Sequence, residues 1–301
     1  MKKDIAIPKD NKLQLSQIEI IQLNENESES VYSRKNNSIF CQDSIMNEVD
    51  INSFLVYKSS AYAKDNKNVY FPIEIICANC PGCGCFCEKY IVSGVDIQTF
   101  KVLSNGYAKD NNFAYYNGLK LNDVNIDSFT IINSTSVYFF AAKDKNNVFI
   151  QNKKINADPN TFEYLDERDI DVWMKDKKNV WTMLKSDSSS IQIVEKADPS
   201  TFKLISTPKG PNVSGNEHYA LDKNHAYFLN KIIEDSDSKT FEPLSIFISK
   251  DKNNAYASGN KIIGVDIKTF EVINSHYSKD KNNVYYLKNI VKDADPETFK
   301  P

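Results

Sequence analysis

Five of the chain's six cysteines fall within the eleven residues CANCPGCGCFC, 77–87, and no other stretch packs so much reactive chemistry into so little chain. Cys80 and Cys83 flank Pro81-Gly82 and are followed by Gly84, a pattern similar to a zinc-knuckle half-site. Two thiolates at that spacing converge on one metal, and the glycine lets backbone N–H groups approach the sulfurs. A tetrahedral structural zinc site needs four ligands, so Cys77 and one of Cys85, Cys87 or Cys41 would complete it. A second CxxC at zinc-ribbon distance is absent, and the CxCxC formed by Cys83, Cys85 and Cys87 is not the usual second half. Disulfides and unligated thiols are the rival readings for the same residues: a reducing cytoplasm keeps thiols free, whereas secretion would pair them. A redox or sensor role is weaker, because Lys89 is the one basic residue close by to lower a thiol pKa.

Beyond the cysteines the chemical inventory is thin. Three histidines, His218, His225 and His276, stand apart, none in a nucleophile-elbow or HExxH context. There is no glycine-rich phosphate loop, and most carboxylates fall at positions that turns and caps explain. A non-enzyme is the expectation, with no catalytic residue to name. The net charge of −3 is made of interspersed Lys and Asp, which excludes the positive field that nucleic acid or an anionic membrane surface requires. The N-terminal MKKDIAIPKD breaks any signal-peptide apolar run, and no stretch reaches the ~18 apolar residues of a membrane span. A cytoplasmic location is therefore expected.

The elements that must position these residues announce themselves by repetition. DNKNVYF at 65, DNNFAYY at 110, DKNNVFI at 144, DKKNVWT at 176, DKNHAYF at 222, DKNNAYA at 251 and DKNNVYY at 280 are copies of one phrase, and RKNNSIF at 34 is a degenerate eighth. Each is followed by a second phrase ending in Phe, at 54, 100, 129, 162, 202, 241, 270 and 299. Two linked phrases in fixed order, eight times, mark a repeat architecture. The first phrase reads as strand, turn, strand: its Asp bonds backbone two residues on, its Asn tolerates the left-handed region, and Val plus an aromatic restart a strand. A calcium-loop reading fails because the positions after the Asn residues supply no side-chain oxygen. The second phrase, Asp-Pro-x-Thr-Phe in its fullest form, reads as a one-turn corner with Asp as cap, Pro in the first helical position and Phe thrown inward. A unit of 29 residues (Asp222 to Asp251 to Asp280) cannot bury its own Phe and Tyr, so neighbours must stack.

These phrases resemble the DKNYY family of bacterial repeat proteins over roughly residues 31–301. The resemblance implies a repeat fold, and, through members that look like companions of polymorphic toxin systems, an immunity or binding role. It brings no catalytic motif. The expected fold is all-β, an array of about eight short β-meander or hairpin repeats forming an open or curved solenoid, with a closed β-propeller as the alternative. Residues 1–30 are an N-terminal segment whose IEIIQL, 18–23, offers the strand missing after Phe299. Residues 31–301 are one β-repeat domain with a Cys-rich insertion at 72–91 and a loop insertion near 186–217. Insertions in repeat proteins map to loops, often on the working face. The expected function is binding and neutralising a protein partner, a toxin domain, with a carbohydrate-binding cell-envelope module and a metal- or redox-responsive protein as alternatives.

Overall fold

The computed structural model describes residues 18–77, 85–104, 106–132, 141–166, 171–184, 188–207 and 218–301. Within them lie eight small antiparallel sheets of four or five strands, none closed into a barrel, and no α-helix. The all-β repeat reading holds. The chain divides into two compact units, residues 1–131 and 132–301. Sheets 1 to 3 belong to the first unit, spanning Ser28–Ile45, Leu55–Ile91 with an added N-terminal strand, and Lys101–Lys120. Sheets 4 to 8 follow at Thr130–Ile155, Glu163–Ile193, Lys203–Ile232, Glu242–Lys261 and Glu271–Ile290. Each is a meander, its strands hydrogen-bonded in chain order.

Sheet 8 shows how the sequence makes one such meander. Glu271–Val272 pairs with Ser278–Lys279, Tyr277–Lys279 with Val284–Tyr286, and Tyr285–Tyr286 with Asn289–Ile290. Between the second and third strands Asp280 N–H donates to Asn283 O at 3.0 Å, closing the turn of the refrain. Tyr285 points into the core and Tyr286 out of it, as alternation in a strand requires. The next turn in sheets 3 and 7 is a two-residue hairpin loop at Asn117-Gly118 and Ser258-Gly259, both members of each pair having positive φ.

The core is a succession of aromatic sandwiches. Four of the corner Phe residues, 54, 100, 202 and 241, lie between an aromatic at the second strand of the sheet before and the third-strand aromatic of the sheet after. Phe54 sits 5.6 Å from Tyr32 and 5.8 Å from Tyr70; Phe100 sits 5.6 Å from Tyr62 and 6.1 Å from Tyr115. In the second unit Phe202 sits 5.8 Å from Trp173 and 5.4 Å from Tyr227, and Phe241 lies between Tyr219 and Tyr256. Tilted and edge contacts at these distances add about 0.5–1.5 kcal/mol per pair to the area buried. The inward Phe expected from sequence is thus shared between neighbours, which is why no single repeat has a core of its own.

The N-terminal segment needs a correction. Ile20 and Ile21 pair antiparallel with Tyr57 and Val56, so this strand extends sheet 2 rather than supplying a strand to the last repeat. Hydrophobic character alone gave no means of choosing between two apolar edges.

Candidate functional site

The refrain's polar residues come first, because a repeated ligand site would have to be built from them. The Asp of each good copy is buried, and its two oxygens divide the work. In sheet 2, Asp65 Oδ1 accepts from Lys67 N and Asn68 N, both at 2.7 Å, which is the expected turn. Its Oδ2 accepts from the Tyr70 hydroxyl at 2.7 Å and from Asp50 N, in the preceding corner, at 2.8 Å. The corner-to-turn bond recurs from Asp96 to Asp110, Asp158 to Asp176, Asp198 to Asp222, Asp237 to Asp251 and Asp266 to Asp280, at 2.7–2.9 Å. The corner Thr accepts in return from the turn's second N–H, as in Lys281 to Thr269 at 3.1 Å.

Lysines close the clasp. Lys177, Lys223, Lys252 and Lys281 reach back to Asp158, Asp198, Asp237 and Asp266 at 2.5–2.8 Å. Burial pushes the Asp65, Asp110, Asp222, Asp251 and Asp280 carboxyls up, but the hydroxyl and N–H donors outweigh it and hold them below the usual carboxylate range. Burial, with Asp280 adding to it against Asn283, pushes the partner Tyr285 up to about 12. The refrain's Asp thus both closes its own turn and joins its repeat to the one before, and in four copies its Lys adds an ion pair across the same joint. Sequence reasoning found the turn and missed the clasp; the signal was there in the steady company kept by Asp-Lys and the preceding Asp-x-x-Thr.

The degenerate first repeat, with Arg34 where Asp is expected, is repaired from outside. Glu25 accepts from Asn36 N and Asn37 N, the two N–H groups that the missing Asp would have bound, and pairs with Arg34.

The Cys-rich insertion departs from this pattern. Val69–Cys77 is a nine-residue third strand, against three to five elsewhere, and with Cys85–Ile91 it forms a long hairpin arm. Its register brings Ile76 opposite Phe86 and Cys77 opposite Cys85. The arm's base is seated on sheet 3: Gly118, at φ +74°, lies so close to Phe71 and Ile73 that a Cβ there would meet both at 2.9 Å. Its second strand lies along the edge of sheet 1, where Asp43 N–H donates to Cys85 O at 3.0 Å, Cys85 N–H to Asp43 Oδ2 at 2.8 Å and Cys87 N–H to Ser44 Oγ at 3.1 Å.

Two disulfides complete the arm. Cys41–Cys87 ties it to sheet 1 across 46 residues of chain, and both partners are buried. Cys77–Cys85 closes the tip across eight, with Cys77 exposed. Of the five residues named as zinc ligands, Cys77 and Cys85 are paired with each other and Cys87 with Cys41, while Cys80 and Cys83 lie outside the described residues. A sulfur in a disulfide does not ligate zinc, so pairing and metal binding are alternative uses of the same side chains. Among the described residues no group of three or more His, Cys, Asp or Glu side chains is arranged to hold a metal.

The arm also shows apolar surface. Ile75, Ile76 and Phe86 are 41%, 46% and 45% exposed, and Ile45, beside Ser44 on the sheet 1 edge, is 52% exposed. The other insertion is described only in part: residues 186–187 and 208–217 lie outside the described residues. Beside it a shallow groove of about 760 Å³ is lined by Gln192, Glu195, Lys196, Asn230 and Glu234 among others. The histidines are dispersed: His218 beside Phe228, His225 beside Tyr227, His276 between Phe247 and Tyr286. Among the described residues no helix is long and apolar enough to cross a membrane.

Comparison with known proteins agrees with the refrain. The chain matches the DKNYY family over residues 83–205 and 184–301. It belongs to the DKNYY family. The two matched stretches cover sheets 3 to 8, while the arm's first strand and its anchor in sheet 1 fall outside them. No curated protein and no solved structure matches the chain.

Proposed function

We propose that this chain is a non-catalytic protein-binding member of the family, whose clasped repeats hold the disulfide-bonded arm as the docking element for one protein partner. The observation that carries the reading is the cross-strand pair Ile76 and Phe86, apolar and open to solvent on an arm tied down by two disulfides, with Ile75 exposed on its other face. Preorganisation of this kind lowers the ordering cost of binding, and exposed apolar groups on a rigid support are what a partner's own apolar surface fits. The partner class proposed is a toxin domain, in keeping with the family resemblance, which makes the chain an immunity protein.

The test pairs the chain with the product of a toxin gene adjacent to its own. Co-expression should restore growth, and Ile76→Lys with Phe86→Lys should abolish rescue while the melting temperature stays within a few degrees of the parent. Failure of the intact chain to bind or protect sinks the reading, and undiminished rescue by the double variant removes the arm from it. The two disulfides favour an oxidising compartment over the cytoplasm; thiol trapping in the host cell tests this, free Cys41 and Cys87 counting against it. Zinc remains proposed for the reduced chain alone, and metal well below one equivalent after reducing purification removes it.

A further inference from the structure

The arm's two disulfides differ in every respect that governs access by a reductant. Cys41 and Cys87 are 0% and 4% exposed, and they join two sheets that are also bonded through Asp43 and Ser44. Cys77 is exposed and Cys85 partly so, and their bond spans only the arm's own end. Thiol–disulfide exchange needs the attacking sulfur to reach the bond, so an enclosed disulfide is protected and an open one is not.

What each bond holds differs as well. The second strand of the arm, Cys85–Ile91, stays on sheet 1 through the Asp43 and Ser44 hydrogen bonds and the Cys87 sulfur. The first strand's end, Ile75–Cys77, is held by the ladder to Cys85–Cys87 and by the Cys77 sulfur. Opening Cys77–Cys85 therefore leaves one side of the Ile76–Phe86 pair held by the strand ladder alone, while the other side keeps its contacts to sheet 1.

We propose that the arm is a redox-sensitive docking element in which Cys77–Cys85 is the bond that opens and Cys41–Cys87 the anchor that stays. This rests on the docking reading of Ile76 and Phe86 and adds its regulation. The co-reactant is a low-molecular-weight thiol. Its thiolate attacks one tip sulfur, the S–S bond breaks, and the departing cysteine thiolate takes a proton. A second thiol then resolves the mixed disulfide. In sum Cys77 and Cys85 gain two electrons and two protons, and two thiol molecules leave as one disulfide.

The experiment uses the full chain in glutathione buffers of graded poise, with differential alkylation mapped by mass spectrometry. Cys77 and Cys85 should be trapped as thiols at a glutathione concentration on the order of tenfold below that needed for Cys41 and Cys87. Amides of residues 74–77 should then exchange hydrogen faster while those of 32–45 stay protected, and Cys77→Ser/Cys85→Ser should show the same exchange without reductant. Simultaneous reduction of both pairs, earlier release of Cys41–Cys87, or re-pairing of the tip cysteines with Cys80 or Cys83 overturns the proposal. No partner enters this measurement, so its outcome is independent of whether the arm binds one.

Discussion

At the scale of single residues, the buried Asp of the refrain is where sequence and energetics meet most directly. Asp251 accepts from Asn253 N, Asn254 N, Asp237 N and the Tyr256 hydroxyl. Asp251→Ala strands the three backbone donors, the Tyr256 hydroxyl keeping Asp235 O at 3.1 Å, and at about 1–3 kcal/mol for a buried unsatisfied group the expected loss in chemical denaturation is about 3 kcal/mol or more. Tyr256→Phe removes one bond to a charged acceptor and should cost about 1.5–3 kcal/mol. The opposite sign is expected at Ser278. Its hydroxyl is fully buried, without a hydrogen-bond partner among the described residues, where sheets 2, 3, 4 and 6 carry Ala63, Ala108, Ala142 and Ala220. Ser278→Ala should leave stability unchanged or raise it by up to about 1 kcal/mol, read from the denaturation midpoint. The turn role of the Asp could be read from sequence because it is local, two and three residues along. Its second oxygen could not, because the bond to the corner spans 14 to 24 residues and depends on how two repeats stack.

Among elements, the arm and the first sheet depend on each other. In the chain-entropy treatment a crosslink spanning 46 residues contributes about 4 kcal/mol, and one spanning eight about 2.5 kcal/mol. Cys41→Ser with Cys87→Ser should accordingly lower the midpoint more than Cys77→Ser with Cys85→Ser, measured under non-reducing conditions. Glu25 belongs to the same scale, since it lends its carboxylate to a neighbouring turn. Glu25→Gln weakens acceptance from Asn36 and Asn37 and should raise hydrogen exchange in residues 34–40 with little change in sheet 8. The place of the insertion was plain from the stretched repeat interval of 45 residues, Asp65 to Asp110. That it continues a strand of the repeat and doubles back along the edge of sheet 1 was not, because cysteine spacing fits knuckle and crosslink alike. Cys41, alone in the sequence, is the residue that decides the arm's direction, and nothing local marks it.

For the molecule as a whole, the clasps make acid the natural denaturant. Five carboxyls held below their ordinary range contribute stability that is complete above the unfolded value of about 3.9 and lost as pH falls through their lower folded values. The melting temperature should be level from pH 5 to 7 and fall steeply below about pH 4. Asp280→Asn should start lower and fall less. A flat profile down to pH 2 would mean that the clasps carry little of the stability. The eightfold aromatic pattern told the all-β class correctly, since Phe and Tyr at fixed spacing have few ways to be buried other than against the next repeat.

Because the Asp of one turn fastens the corner before it, the natural boundary of a repeat runs from Asp to Asp and cuts through a hairpin. Excising residues 222–250 would bring the corner at Asp198 onto Asp251, with the same donors and acceptors in reach and no orphaned amide at the seam. In-register recombination between such 29-residue segments then yields a foldable chain at once, longer or shorter by one module. Copy number can then vary among the plain repeats, whereas an exchange falling between sheet 1 and the arm would part Cys41 from Cys87 and leave each without its partner.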